Sequence, residues 1–160
     1  MKLRRGLALL LVVAVLAACG GSALAADGGL TRGEARDMLL AAADDYNPGV
    51  TAEDILRGDE NGNLNLDGPL TRAQAMVMLS RAFGDLPEPV GDNARRAYDA
   101  ADFTDIPVWA QTELADVLEA GIVAGTSATT FSPNEPVTEA QLALLIQRVY
   151  TLEGSNLRDD

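Results

Sequence analysis

The chain has 160 residues, with 12 Lys plus Arg against 24 Asp plus Glu, no histidine and one cysteine. That length suffices for one domain with a real core. Without histidine the chain holds no Ser-His or Cys-His catalytic pair and no HExxH-type zinc site; one cysteine forms no internal disulfide; and a net charge of -12 argues against nucleic acid as a partner, because phosphate binding needs a basic face.

The N-terminus reads as an export signal over residues 1–25. Lys2, Arg4 and Arg5 precede the apolar run LALLLVVAVLAA, which is too short to span a membrane comfortably. Two cleavage sites compete. ALA-A, ending at Ala26, suits ordinary cleavage of small residues, whereas LAAC, ending at Cys19, is a lipobox that would leave Cys19 lipidated as the only membrane attachment. Cleavage before Cys19 removes three positive charges, giving -12 - 3 = -15.

Beyond the signal the chain repeats itself. GDENGNLNLDGPLTRAQAMVMLSRAF (58–83) aligns without gaps on GTSATTFSPNEPVTEAQLALLIQRVY (125–150), so that Thr71 falls on Thr138 at an offset of 67. LTRGEARDMLLAA, from Leu30, echoes LTRAQAMVMLSRA at an offset of 40. The expected organisation is a partial copy over 30–45, a degenerate copy over 46–84, a linker over 85–102, a well-preserved copy over 103–152 and a polar tail over 153–160.

Each copy predicts a helix. Met38 and Leu39, then Met78, Leu79 and Phe83, then Leu142, Leu145, Ile146 and Val149 follow helical spacing after a threonine. TAED predicts a short helix after Thr51. A further helix is expected from Val108 to Ala120, capped by Asp105, with Pro107 in its first turn and Gly121 at its stop. Linker residues 84–102 are rich in Pro, Gly and Asp. No strand pattern stands out, so the class is all-α.

TRGE, TRAQ and TEAQ are capping boxes, in which Thr accepts from the amide three residues on and Glu or Gln reaches back to the Thr amide. This accounts for Thr31, Thr71 and Thr138. It leaves Arg32 and Arg72 unexplained at the first helical position, where the helix dipole disfavours a cation. Either each arginine pairs with a nearby carboxylate, or arginine and helix-start amides together hold an anion. Asn63, Asn65, Asp67 and Gly68 imitate a calcium loop, but Asn63 and Gln74 are poor first and last ligands and the matching string near Ser132 has none. No metal or cofactor is expected.

The sequence FTDIPVWAQTELADVLEAGIVAGTSATTFSPNEPVTEAQ closely resembles an S-layer homology repeat, through Phe103, Asp105, Trp109, Ala110, Gly121, Ile122, Gly125, Phe131, Pro133 and Thr138. The resemblance implies helical repeats packed around a pseudo-threefold axis. It also implies that the chain attaches exported proteins non-covalently to secondary cell-wall polysaccharide, whose pyruvate ketals present carboxylates. On the family pattern the ligand residues are Arg72 with Gly58, and Arg32, with Trp109 and Gly125 as groove walls. A lone tryptophan in a small helical domain is otherwise more often core. Glu139 stands where the family has arginine, and a carboxylate there repels an acidic glycan.

Two functions follow. One is a non-catalytic cell-surface anchor for acidic wall polysaccharide. The other is a helical domain that packs on an exported enzyme, such as a neprilysin-like metallopeptidase, with glycan binding lost. No activated nucleophile points to catalysis within the chain.

Overall fold

The computed structural model describes residues 29–59, 61–88, 102–123 and 130–156. The expected signal segment with Cys19, most of the linker, and Gly125 lie outside the described residues. In chain order the elements are α1 (Arg32–Ala43), α2 (Ala52–Ile55), α3 (Arg72–Phe83), two 3-10 turns (Phe103–Asp105 and Val108–Ala110), α4 (Gln111–Glu119) and α5 (Glu139–Asn156). The fold is all-α. Extended pairing among the described residues is confined to two isolated bridges, Thr31 with Pro69 and Thr71 with Pro136.

The capping boxes form as spelled. Glu34 N–H donates to Thr31 Oγ1 at 3.2 Å, and Thr31 N–H to Glu34 Oε2 at 2.9 Å. Thr71 with Gln74 and Thr138 with Gln141 repeat the exchange. Thr51 with Asp54 does the same for α2. The anionic partners are stabilised by these bonds: the Thr31 amide and hydroxyl draw the Glu34 carboxyl below its ordinary value, and the Thr51 hydroxyl and amide do so for Asp54.

Just ahead of each cap, the three copies join in a closed cycle of backbone hydrogen bonds. Leu70 N–H donates to Leu30 carbonyl at 2.8 Å, Val137 N–H to Leu70 carbonyl at 3.1 Å, and Leu30 N–H to Val137 carbonyl at 2.7 Å. These residues are related by the offsets of the repeat, since 30 + 40 = 70 and 70 + 67 = 137. All three side chains are buried. The three copies thus meet through one cycle of equivalent backbone groups.

The core gathers on α3, where nine of the twelve residues are buried, including Met76, Leu79 and Phe83. A helix buried around most of its circumference belongs at the centre of its domain, and α3 packs against α1, α2 and α4. Tyr46, Phe83 and Tyr150 meet edge to face, with ring centroids 5.2 to 5.9 Å apart. Such geometry suits the ring quadrupoles. Tyr150 also donates its hydroxyl to the Ala42 carbonyl.

One local expectation needs correction. Asp105 does not cap the helix near 108; it lies inside the 3-10 turn before it, and α4 begins without a side-chain cap. Pro107 is the reason, because it holds Ile106 extended and separates Asp105 from the helix. At Gly58 a Cβ would lie 2.7 Å from the Gly62 carbonyl carbon, so the residue is small because two backbones touch. At the C-terminal side, α5 runs on to Asn156, into the expected polar tail. Gly121 does end α4 as expected, with φ at +74°.

Candidate functional site

The starts of α1 and α3 interlock with the following copy. Arg32 N–H donates to the Gly68 carbonyl at 3.0 Å and Gly33 N–H to Leu66 at 2.9 Å. One copy further on, Arg72 N–H donates to Glu135 at 2.9 Å and Ala73 N–H to Pro133 at 2.9 Å. With the third amide of each helix bound by its capping threonine, none of these first-turn donors remains for a ligand. The expected anion site built on free helix-start amides is therefore not available at α1 or α3. Any anion there is held by side chains.

The two arginines have different surroundings. Arg72 lies on the third copy: its Nε donates to the Phe131 carbonyl at 2.9 Å and its guanidinium sits 5.1 Å from the centre of the Phe131 ring. Burial, then the nearby Arg148, pulls its pKa below the ordinary arginine value, while Asp102 opposes them. Asp102 in turn accepts from Phe131 N–H and Ser132 N–H, both at 2.7 Å. Partial burial works against its ionisation, but these amides and Arg72 hold its carboxyl below the usual range. Arg72 thus braces the junction of the second and third copies.

Arg32 occupies the equivalent place one junction earlier. There the counterpart of Phe131 is Leu64, since 131 - 67 = 64, and it offers no ring. Arg32 Nε is buried and has no hydrogen-bond partner. It lines an open groove of about 570 Å³ together with Gly58, Gln74, Arg81 and Trp109. Arg57, Asp59, Asn63 and Asn65 complete the polar wall, with Leu56, Val77 and Met78 beneath. Three arginines against one aspartate give this groove a local charge of 3 - 1 = +2, on a chain whose net charge is -12.

All three copies build the groove, with Arg32 from the first, Gly58, Gln74 and Arg81 from the second and Trp109 from the third. Trp109 is 55 % exposed, which overturns the core expectation for a lone tryptophan. The structure brings Arg32, Gly58 and Trp109 together. Arg72 does not line this groove, so the pairing of Arg72 with Gly58 is replaced by Arg32 with Gly58. Gly125 falls outside the described residues.

The calcium-like string serves the groove wall. Asp59 accepts from Asn61 N–H and Asn63 N–H at 2.9 Å and from Asn63 Nδ2 at 3.2 Å. The Asn63 amide leads the interactions that lower the Asp59 pKa. Asn65 adopts φ of +48° and tucks its side chain beneath Gly68, where a Cβ would lie 2.3 Å from Asn65 Nδ2. Sequence reasoning did not single out Arg81 as a site residue. Its signal was present: Gln74, Val77, Met78 and Arg81 form one helical stripe, and Arg81 ends it with a charge.

Residues 102–143 match the S-layer homology domain. The chain carries an S-layer homology domain. It is similar to the surface-layer 125 kDa protein of Lysinibacillus sphaericus, with 32% identity over 102 residues, covering 62% of this chain and 8% of that protein. It is also similar to an endoglucanase of Bacillus sp. (strain KSM-635), with 32% identity over 98 residues, covering 61% of this chain and 10% of the enzyme. The chain therefore spans a tenth or less of the length of these relatives. No solved structure matches the chain. The family match covers Asp102 and Trp109, whereas Arg32 and Gly58 lie N-terminal to it. The groove thus joins the S-layer homology domain match to the two less regular copies.

Proposed function

We propose that this chain is a non-catalytic cell-surface anchoring module whose groove holds an acidic cell-wall polysaccharide. An S-layer homology domain is an anchoring module, and the similarity to a surface-layer protein supports a cell-wall location. The observation that carries the reading is the unpartnered, buried Nε of Arg32 within a groove that also presents Trp109. A buried donor without an acceptor costs free energy. A ligand carboxylate, such as a pyruvate ketal on a sugar, would satisfy it, and the half-exposed indole would stack on the sugar face. Gln74, Asn63 and Asn65 supply hydroxyl partners. Binding is by side chains rather than by helix-start amides.

Co-sedimentation of the purified chain with Gram-positive cell walls tests this, before and after mild acid strips the wall polymer. Retention should vanish with the polymer and in Arg32→Ala and Trp109→Ala. A folded wild-type chain that stays in the supernatant overturns the proposal.

Glu139 favours a second reading. It opens α5 where the other copies carry arginine, so the third helix start repels an anion. The similarity to a stretch of an endoglucanase supports a helical domain that packs on an enzyme. That reading predicts folded protein with no wall retention.

A further inference from the structure

The three groove arginines are not equally free. Arg57 is exposed at the rim and Arg32 has its unpartnered Nε. Arg81, in the last turn of α3, donates from Nη2 to Glu113 Oε1 at 3.2 Å. Glu113 belongs to the third copy and follows Trp109 by one helical turn, so one segment supplies both the indole wall and the carboxylate behind Arg81.

This ion pair is loosely made. A charge-assisted bond of this kind is usually 2.7–2.9 Å, and a guanidinium has five N–H donors, of which Glu113 takes one. Both side chains keep contact with water, at 20% and 27% exposure. Nor does the scaffold require a carboxylate at this place. Arg148, the counterpart of Arg81 at 81 + 67 = 148, donates instead to the Ile122 carbonyl at 3.0 Å. Glu113 therefore neutralises a groove cation that the fold could satisfy otherwise.

We propose that Glu113 is a resident counter-anion for Arg81, displaced when an anionic glycan enters, and that it sets how strongly the groove prefers charged over neutral sugar. The inference rests on the groove being the glycan site. An arriving carboxylate finds Arg32 Nε without a hydrogen-bond partner, with Asp59 near enough only to feel its charge, but must exchange with Glu113 for Arg81, and meanwhile feels the repulsion of Glu113. With Glu113 in place, the gain from Arg81 is largely cancelled. Without its charge, Arg81 becomes a second full-strength clamp. Glu113 is a positioning and selectivity residue, and Arg81 is the ligand contact.

The test titrates the chain with an oligosaccharide carrying one pyruvate ketal, and with the methyl ester of the same sugar. Glu113→Gln should bind the acid about five-fold tighter than wild type, with the ester unchanged. Arg81→Gln should weaken the acid alone, and in the double variant the gain from Glu113→Gln should disappear. If Glu113→Gln shifts acid and ester equally, or neither, Glu113 is only structural and the inference fails. If wild type binds neither sugar, the glycan reading fails and takes the inference with it.

Discussion

Leu30 and Val137 are joined by a 2.7 Å backbone hydrogen bond that closes the cycle of three copies. The first copy is only a cap and a helix, yet it supplies both a donor and an acceptor to this cycle. Its loss should therefore be felt throughout the domain. Leu30→Ala, which empties a buried site, should cost about 2–4 kcal/mol, measured by urea unfolding in one transition. In hydrogen exchange, the amides of Leu30, Leu70 and Val137 should speed up together. Exchange confined to the first copy would show that the cycle does not couple them.

Arg32 and Arg72 stand at equivalent positions and should respond oppositely to removal. Arg72→Ala loses the bond to the Phe131 carbonyl and the ring contact, at about 1–2 kcal/mol of stability. Arg32→Ala removes a side chain whose buried Nε has no partner, so stability should stay within about 0.5 kcal/mol while wall retention is lost. Thermal melts run beside co-sedimentation separate the two effects.

The difference between these arginines shows where the sequence was legible and where it was not. The repeat offsets, the capping boxes and the helices after Thr31, Thr71 and Thr138 could be read because they are local. The family pattern paired Arg72 with Gly58, two residues of one copy. In the folded chain the starts of α1 and α3 dock on the copy that follows, and Gly58 shares a groove with Arg32 instead. That interlock is a tertiary fact with no local signature. Trp109 looked like core because an indole usually is, but the 3-10 turn after Pro107 leaves it on the surface. Asp102 was hidden because it ends a stretch that reads as linker, and its partners, Phe131 and Ser132, are remote in sequence.

Asp102 should give the domain part of its acid sensitivity. Its folded pKa is depressed below the ordinary 3.8, so its contribution is fully present above that value and fades as pH falls through the lower folded value. Asp102→Asn should lose about 1–2 kcal/mol near neutral pH, because amides at Phe131 and Ser132 lose a charged acceptor. It should also show a shallower decline as pH falls below the ordinary 3.8. Glu34, Asp54 and Asp59, which are depressed in the same direction, contribute to the slope that remains. Urea midpoints across that range check the sign.

Gly58→Ala should disturb both fold and groove. The new methyl would press on the Gly62 backbone at 2.7 Å, and backbone cannot swing aside as a side chain does. A loss of about 1–3 kcal/mol is expected, together with weaker wall retention as the loop bearing Asp59 and Asn63 shifts. Gly68→Ala should cost less, because its nearest atoms are those of the Asn65 side chain. A ranking with Gly68→Ala as the more damaging would contradict this account.

Trp109 is the chain's single tryptophan, and it forms the wall that a sugar would cover. All indole emission from the protein therefore comes from the groove. In the free chain, half in water, that emission should lie towards the red, and it should move to the blue as a ligand displaces solvent from the ring. The domain carries its own optical gauge of occupancy, readable without a label at any point of a titration.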